Sequence, residues 1–276
     1  MVEVVAECGK NQINKESGLS IADCLDNAKT LTLAAKQSNA STCKWQIHVF
    51  QDEQKKRSES RYEWIKRNEY LSPLSDFWIP LKQYHEELGI NFLVTGMSKL
   101  ACEKINPLVD RFKVGSGDVT DLEMLRYIAE TKKPVILSTG MSTMPEVMRA
   151  LDILTSHGSK ITLMHCISMY PTNEKRLNLN TIKFFKKGFP NFKIGFSDHS
   201  LSLFAPCLAV AMGCEVIEKH FTLDRGAWGP DHKVSLIPKE FAKMVSEIRR
   251  TEHILGVEDK LLYNEEKLLW ENFRTQ

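Results

Sequence analysis

The chain contains no apolar run approaching the roughly 20 residues that a membrane-spanning helix needs. Its first residues, MVEVVAECGKN, lack the basic stretch and the following apolar segment of an export signal. The sequence therefore reads as that of a cytoplasmic protein with no membrane partner. A surplus of one charge is missing as well, since 37 basic against 35 acidic residues leave a formal charge of +2. That balance excludes the broad electrostatic footprint of a nucleic-acid binder, so any bound anion must be held locally. No two cysteines are spaced CxxC. The seven that occur are scattered through apolar neighbourhoods such as TCKW and LMHCIS, which fits reduced, buried thiols and argues against a disulfide-stapled miniprotein or a structural zinc site. Finally, no GxGxxG turn follows the first strand-like run. The run GSG at 115–117 comes after the fourth and lacks the third glycine.

What the chain does have is apolar material for a large core, 42% of its 276 residues. That length allows either two ordinary domains or one α/β barrel. Short β-branched or apolar runs occur at 2–8, 41–46, 91–95, 111–114, 134–138, 160–166, 192–196 and 215–220. Helix-like segments near 20–37, 76–88, 98–106, 120–131, 143–157, 178–188, 200–212 and 237–255 alternate with them. The segment at 143–157 shows why: its apolar residues follow i, i+3, i+4 spacing, Pro145 falls in the first turn, and Gly158 supplies a C-terminal stop. Apolar strands each followed by a helix imply a parallel sheet covered on both faces. Eight such units favour closure over an open doubly wound sheet, so residues 1–256 are expected to form a (β/α)8 TIM barrel. A charged insertion at 49–74 is either a solvated excursion or a lid over the barrel mouth. A helical tail at 257–276 follows, in which Leu261, Leu262, Leu268, Leu269 and Trp270 offer an apolar face.

Chemistry in such a barrel sits where the strands end. The polar residues there are Glu7, Lys44, Gln46, Thr95, Lys113, Ser116, Ser138, His165, Ser168, Ser197, Asp198, His199, Glu218 and His220. One strand-end lysine is ordinarily a rim residue with its ammonium in water. Two lysines beside several hydroxyls on successive strands point instead to a doubly anionic small molecule such as a phosphorylated acid. His199 and His220 end consecutive strands, with Glu218 and Asp231 near. That set matches either a hydrogen-bonded histidine pair or a catalytic divalent-metal site with open positions. In the loop GAWGPDHKVSL at 226–236, Trp228 is either a packing anchor or a ligand-facing surface.

In order, the motifs AECGKNQ, KWQ, VTGMS, FKVGSGD, ILSTGMST, HCISMYPT, IGFSDHS and EKHFTLDRGAWGPDHKVSL resemble the sialic acid synthases, over nearly the whole chain from 4 to about 255. Members of that family condense phosphoenolpyruvate with an amino-sugar aldehyde such as N-acetylmannosamine. The resemblance implies a divalent metal, typically Mn2+ with Mg2+ or Co2+ as alternatives, on His199 and His220. It implies a phosphoenolpyruvate site at Lys44, Thr95, Lys113, Ser116, Ser138, Ser168 and Ser197, and sugar contacts from Glu7, Gln46, Tyr170 and Asp231. Glu218 is the candidate for handling the reacting water, with Glu7 and Asp118 as rivals. Two departures stand out. Gln12 follows Asn11 where the family commonly has histidine, and the small antifreeze-like domain that usually follows the barrel, and lends an arginine to a dimer partner, is absent from the 276 residues. The partners expected by resemblance are therefore a second copy of the chain and a separate antifreeze-like protein. Rival readings are a barrel aldol enzyme using a Schiff base on Lys44 or Lys113, and a non-catalytic barrel subunit.

Overall fold

A computed structural model describes residues 1–274. Eight parallel strands close into a barrel in sequence order. They are β1 (Glu3–Gly9), β2 (Thr42–Ile47), β3 (Asn91–Gly96), β4 (Phe112–Val114), β5 (Val135–Ser138), β6 (Ile161–Cys166), β7 (Lys193–Asp198) and β8 (Val216–His220). The outer ring comprises α1 (Ile21–Gln37), two insertion helices α2 (Phe50–Glu53) and α3 (Tyr62–Leu71), then α4 (Ile79–Leu88), α5 (Lys99–Ile105), α6 (Leu122–Glu130), α7 (Met144–Thr155), α8 (Asn180–Gly188), α9 (Ala205–Ala211) and α10 (Pro238–Leu255). A tail helix, α11, spans Asn264–Phe273.

The strand period of two sorts the side chains into two cores. Val5, Leu93, Ile136, Met164 and Val216 fill the barrel interior. The alternate residues, among them Val4, Ala6, Val94, Leu137 and Ile217, face the helices. On β8 this alternation sends Glu218 and His220 inward while Lys219 points outward. There Lys219 Nζ meets Asp198 Oδ2 at 2.5 Å, both side chains being fully buried. Asp198 and Lys219 are partners in the β7–β8 register, so their ion pair fixes the two strands on which His199 and His220 follow.

One expected boundary moves. The helix anticipated from 200 starts only at Ala205, because Ser200 and Ser202 turn the chain: Lys219 Nζ reaches Ser202 O at 3.0 Å, and Ser202 Oγ accepts from the Ala205 N–H at 3.2 Å. The insertion is also more ordered than an excursion. Glu53 is buried and accepts from the Val49 N–H at 3.0 Å and from His48 Nδ1 at 2.9 Å. Arg67 donates to Lys15 O at 2.6 Å and lies over the Trp228 ring at 4.7 Å. These contacts dock α3 against the loops after β1 and β8. The apolar residues of the tail remain exposed, Leu268 and Leu269 at 76% and 56%. Residues 275 and 276 lie outside the described residues.

Candidate active site

A cavity of about 380 Å³ opens at the C-terminal ends of the strands. The site residues that the resemblance implies all line it: Glu7, Lys44, Gln46, Thr95, Lys113, Ser116, Asp118, Ser138, Ser168, Tyr170, Ser197, His199, Glu218, His220 and Asp231; of the other strand-end polar residues, His165 turns to the Leu177 carbonyl and Asp198 to Lys219. The register explains the convergence. Glu7 pairs with Lys44 on one side and His220 on the other, Thr95 with Lys113, and Ser197 with Glu218.

At the bottom of the cavity lies a buried charge cluster. Lys44 Nζ is 2.5 Å from Glu7 Oε2, 3.5 Å from Glu218 Oε1 and 3.1 Å from Thr95 Oγ1. Lys113 Nζ donates to Ser138 Oγ at 2.7 Å and sits 3.9 Å from Glu218 Oε1, which also accepts from Ser197 Oγ at 3.1 Å. The cluster separates its two acids. Burial works against ionisation of Glu218, but Lys113 and Lys44 outweigh it and hold the carboxyl at about 2. Burial pushes Glu7 up more than Lys44 pulls it down. Burial also opposes charge on Lys44, yet Glu218 and Glu7 keep its ammonium above the usual range, whereas burial draws Lys113 below it. Glu218 is thus a fixed carboxylate, and Glu7 is the acid that more readily carries a proton.

The end of the cavity lined by Ser116 and Ser168 has a glycine with a steric reason. A Cβ on Gly140 would lie 2.2 Å from Ser168 Oγ and 2.8 Å from Ser116 Oγ, while its own N–H donates to Ser116 Oγ at 3.1 Å. Only glycine leaves both hydroxyls facing the cavity.

At the other end the His199 and His220 rings are 5.3 Å apart, and Tyr170 covers them with ring distances of 4.2 and 5.9 Å. His199 Nδ1 is 2.9 Å from the Ile167 carbonyl. A carbonyl only accepts, so Nδ1 carries a proton; burial works against a second proton on Nε2, but Cys166, the Ile167 carbonyl and Glu218 outweigh it and raise the pKa of His199. Burial holds His220 neutral, with a pKa of about 3, and its Nδ1 has no partner. Asp231 Oδ2 and Glu218 Oε2 are likewise buried without hydrogen-bond partners. The neutral His220 ring, with His199 beside it and the unpartnered oxygens of Asp231 and Glu218 near, is a donor set that fits a divalent cation. Among the described residues no three His, Cys, Asp or Glu side chains gather as a metal-binding group, so such an ion would keep open positions.

Four lining or flanking residues were invisible to the sequence reading. Cys166 lines the cavity with its Sγ 3.8 Å from His199 Nδ1. Lys10, buried, joins Gln46 Oε1 at 2.9 Å and Asp231 Oδ2 at 3.6 Å. Arg57 and Arg61 enter from the insertion, and Arg57 forms an ion pair with Asp118. That pair turns Asp118 toward anchoring the insertion, although burial still raises its carboxyl to about 6. The only sequence signals for these contacts were the lysine within AECGKNQ and the basic character of 55–67. Gln12 is fully buried, with both amide atoms unpartnered.

A closed parallel barrel with paired lysines, hydroxyls and imidazoles at one mouth defines a small-molecule barrel enzyme class. The chain belongs to the NeuB family, whose profile matches residues 24–260, and which is the family of the sialic acid and legionaminic acid synthases. It is 42% identical to an uncharacterized protein of Methanocaldococcus jannaschii, over 89% of this chain and 72% of that one. It is 32% identical to the human N-acetylneuraminate-9-phosphate synthase, over 94% of this chain and 72% of the relative. The crystal structure of N-acetylneuraminic acid synthetase from Leptospira borgpetersenii, in complex with citrate, superposes with a TM-score of 0.86 at 30% identity, covering 99% of this chain and 92% of that one.

Proposed function

We propose that this pocket condenses phosphoenolpyruvate with an N-acetylated amino-sugar aldehyde, releasing phosphate by C–O cleavage. The observation that carries the reading is the cavity itself, which holds two buried lysines with five strand-end hydroxyls at one end and the His199–His220 imidazole pair at the other. Lys44 and Lys113 bind the phosphate and carboxylate of phosphoenolpyruvate, helped by Thr95, Ser116, Ser138, Ser168 and Ser197. In a partly dry pocket such preorganised cations act at close to full strength. Glu7, Gln46, Tyr170 and Asp231 hold the sugar so that its aldehyde lies near His199 and His220.

The bond-making step joins C3 of phosphoenolpyruvate to the aldehyde carbon, and the aldehyde oxygen takes a proton for which Glu7 is placed. Positive charge develops at C2. Water adds there and loses a proton toward the Glu218 carboxylate, after which the C2–O bond breaks with its electron pair leaving on phosphate. His199 and His220 would hold the divalent ion, Mn2+ first, with Mg2+ or Co2+ as alternatives. Such an ion supplies Lewis-acid polarisation of the aldehyde. A homodimer belongs to the same proposal.

The test measures phosphate release from phosphoenolpyruvate with N-acetylmannosamine or a diacetamido sugar and Mn2+. Release that needs phosphoenolpyruvate, sugar and metal together supports the reading. No release with any such sugar after metal reconstitution overturns it. A second reading, a Schiff-base aldol enzyme, is favoured by one observation, the lowered pKa of Lys113. Borohydride trapping of pyruvate on Lys113, unaffected by chelator, would establish that alternative.

A further inference from the structure

The strand alternation that aims Glu7 into the cavity would carry Lys10 outward among the helices, as it does Cys8. Two features of the backbone reverse this. The β1–β2 register shifts between Glu7 and Gly9, and Gly9 adopts the left-handed conformation, with φ of 54°. Its bare α-carbon also sits among cavity groups: a Cβ there would lie 3.0 Å from Asp231 Oδ2, 3.1 Å from Glu7 Oε1 and 3.4 Å from Gln46 Nε2. The turn thus brings the Lys10 ammonium, on a side chain only 7% exposed, to two residues of the cavity wall.

Lys10 Nζ donates to Gln46 Oε1 at 2.9 Å and stands 3.6 Å from Asp231 Oδ2. The first contact settles which way the Gln46 amide faces: with Oε1 committed to Lys10, Nε2 points at Glu7 and donates to its Oε1 at 2.6 Å. The second gives Asp231 its cation, since among the described residues no other lysine or arginine pairs with that carboxylate. Glu7, Gln46 and Asp231 are the groups assigned above to the sugar. One buried ammonium therefore orders two of them directly and the third through Gln46. It does not hold the surrounding loops together. The loop after β8 is fastened without it, by Asn11 Nδ2 donating to Phe221 O at 2.8 Å, by the Trp228 N–H donating to Asn14 O at 3.2 Å, and by the Trp228 ring packed on Trp64 at 5.1 Å.

Resting on the condensation proposed above, we infer that Lys10 is a positioning residue for the acceptor, one that presents Gln46 and Asp231 to the sugar. Held beside that ammonium, and with Oδ2 free of hydrogen bonds, the Asp231 carboxylate is ready to accept from a sugar hydroxyl. The phosphoenolpyruvate end does not depend on Lys10. There Lys44 keeps its own ion pair with Glu7 at 2.5 Å, and Lys113 its bond to Ser138 Oγ at 2.7 Å.

The experiment measures phosphate release by the full chain with Mn2+, for the unsubstituted protein and Lys10→Met, in separate titrations of phosphoenolpyruvate and of the acceptor. The acceptor is N-acetylmannosamine or the diacetamido sugar, whichever is turned over. The expected result is a split: the sugar KM rises about tenfold or more, the range of one charge-assisted hydrogen bond, while the KM for phosphoenolpyruvate stays within about twofold. Lys10→Arg, which returns a cation to the same place, should recover most of the loss. A sugar KM unchanged in Lys10→Met overturns the inference, as do two KM values rising together, the mark of a merely structural lysine, or a Lys10→Arg variant no better than Lys10→Met; each leaves the condensation standing. Should Lys10→Met fail to fold, Lys10→Gln, which keeps a donor for Gln46 but no charge for Asp231, carries the same titrations. No phosphate release by the unsubstituted chain with either sugar overturns the condensation, and this inference with it.

Discussion

Replacing Glu218 by glutamine separates chemistry from binding. The side chain keeps its shape and its place against Ser197 Oγ at 3.1 Å, but the charge between Lys44 at 3.5 Å and Lys113 at 3.9 Å is lost. At an effective interior dielectric of about 20, a unit pair near 4 Å interacts by about 4 kcal/mol. Both ammonium groups are therefore strongly compensated by this one carboxylate. Without it Lys44 keeps only Glu7, and Lys113 keeps no carboxylate within ion-pair distance. The anion site becomes more positive, and the KM for phosphoenolpyruvate should stay level or fall. In the proposed mechanism the reaction loses the carboxylate assigned to the water, so kcat should drop by about 10²- to 10⁴-fold, the usual worth of a positioned base. Steady-state phosphate release across a phosphoenolpyruvate titration reads both quantities. A kcat within a few-fold of the unsubstituted enzyme, combined with a raised KM, would refute the assignment and make Glu218 a binding residue.

Gly140→Ala should raise the KM for phosphoenolpyruvate by about tenfold or more by displacing Ser168 and Ser116, whose hydroxyls would lie 2.2 and 2.8 Å from the new Cβ; an unchanged KM would remove those serines from the site. Lys219→Met leaves the Asp198 carboxylate buried and unpaired, at a cost of about 3–5 kcal/mol in urea unfolding, and Asp198→Asn in the same chain should restore most of it. His85 supplies a pH test. Burial lowers its pKa from 6.5 to about 4, and its Nε2 accepts from the Trp45 indole at 3.2 Å. Because the folded value is the lower one, this contribution is fully present above pH 6.5 and is lost as the pH falls toward 4. Unfolding free energy should fall by about 2 kcal/mol more between pH 7 and pH 5 than in His85→Gln, a difference that denaturant titration at the two pH values detects.

The barrel was legible because parallel strands buried on both faces must be written as short apolar runs, and runs such as 160–166 have few other uses. Strand ends moved by a residue or so. The site was legible for a related reason: at the end of β8 the order Glu218, Lys219, His220 alternates inward, outward, inward, so the strand period alone aims the acid and the imidazole at the cavity. Lys219 shows where that logic thins. Its partner Asp198 lies on the neighbouring strand and was read only as a strand-end polar residue, and the turns that delay α9 depend on the pair. Arg57 and Arg61 were out of reach for a stronger version of the same reason. Arg57 finds Asp118 across 61 residues of chain, a contact set by the docking of α3 through Trp64, Arg67 and Trp228 and carried by no local pattern. The two accounts of the insertion were open in the sequence, and its docked arginines decide between them in favour of a wall of the cavity.

The central claim is a C–C condensation with C–O cleavage in this one cavity. Its most direct test uses phosphoenolpyruvate labelled with heavy oxygen at the bridge between C2 and phosphorus, an N-acetylated amino sugar and Mn2+, with both products followed by mass spectrometry. The account predicts a nine-carbon acid free of label and phosphate that carries it. Labelled pyruvate with the sugar recovered intact, or label retained in the nine-carbon product, would contradict it.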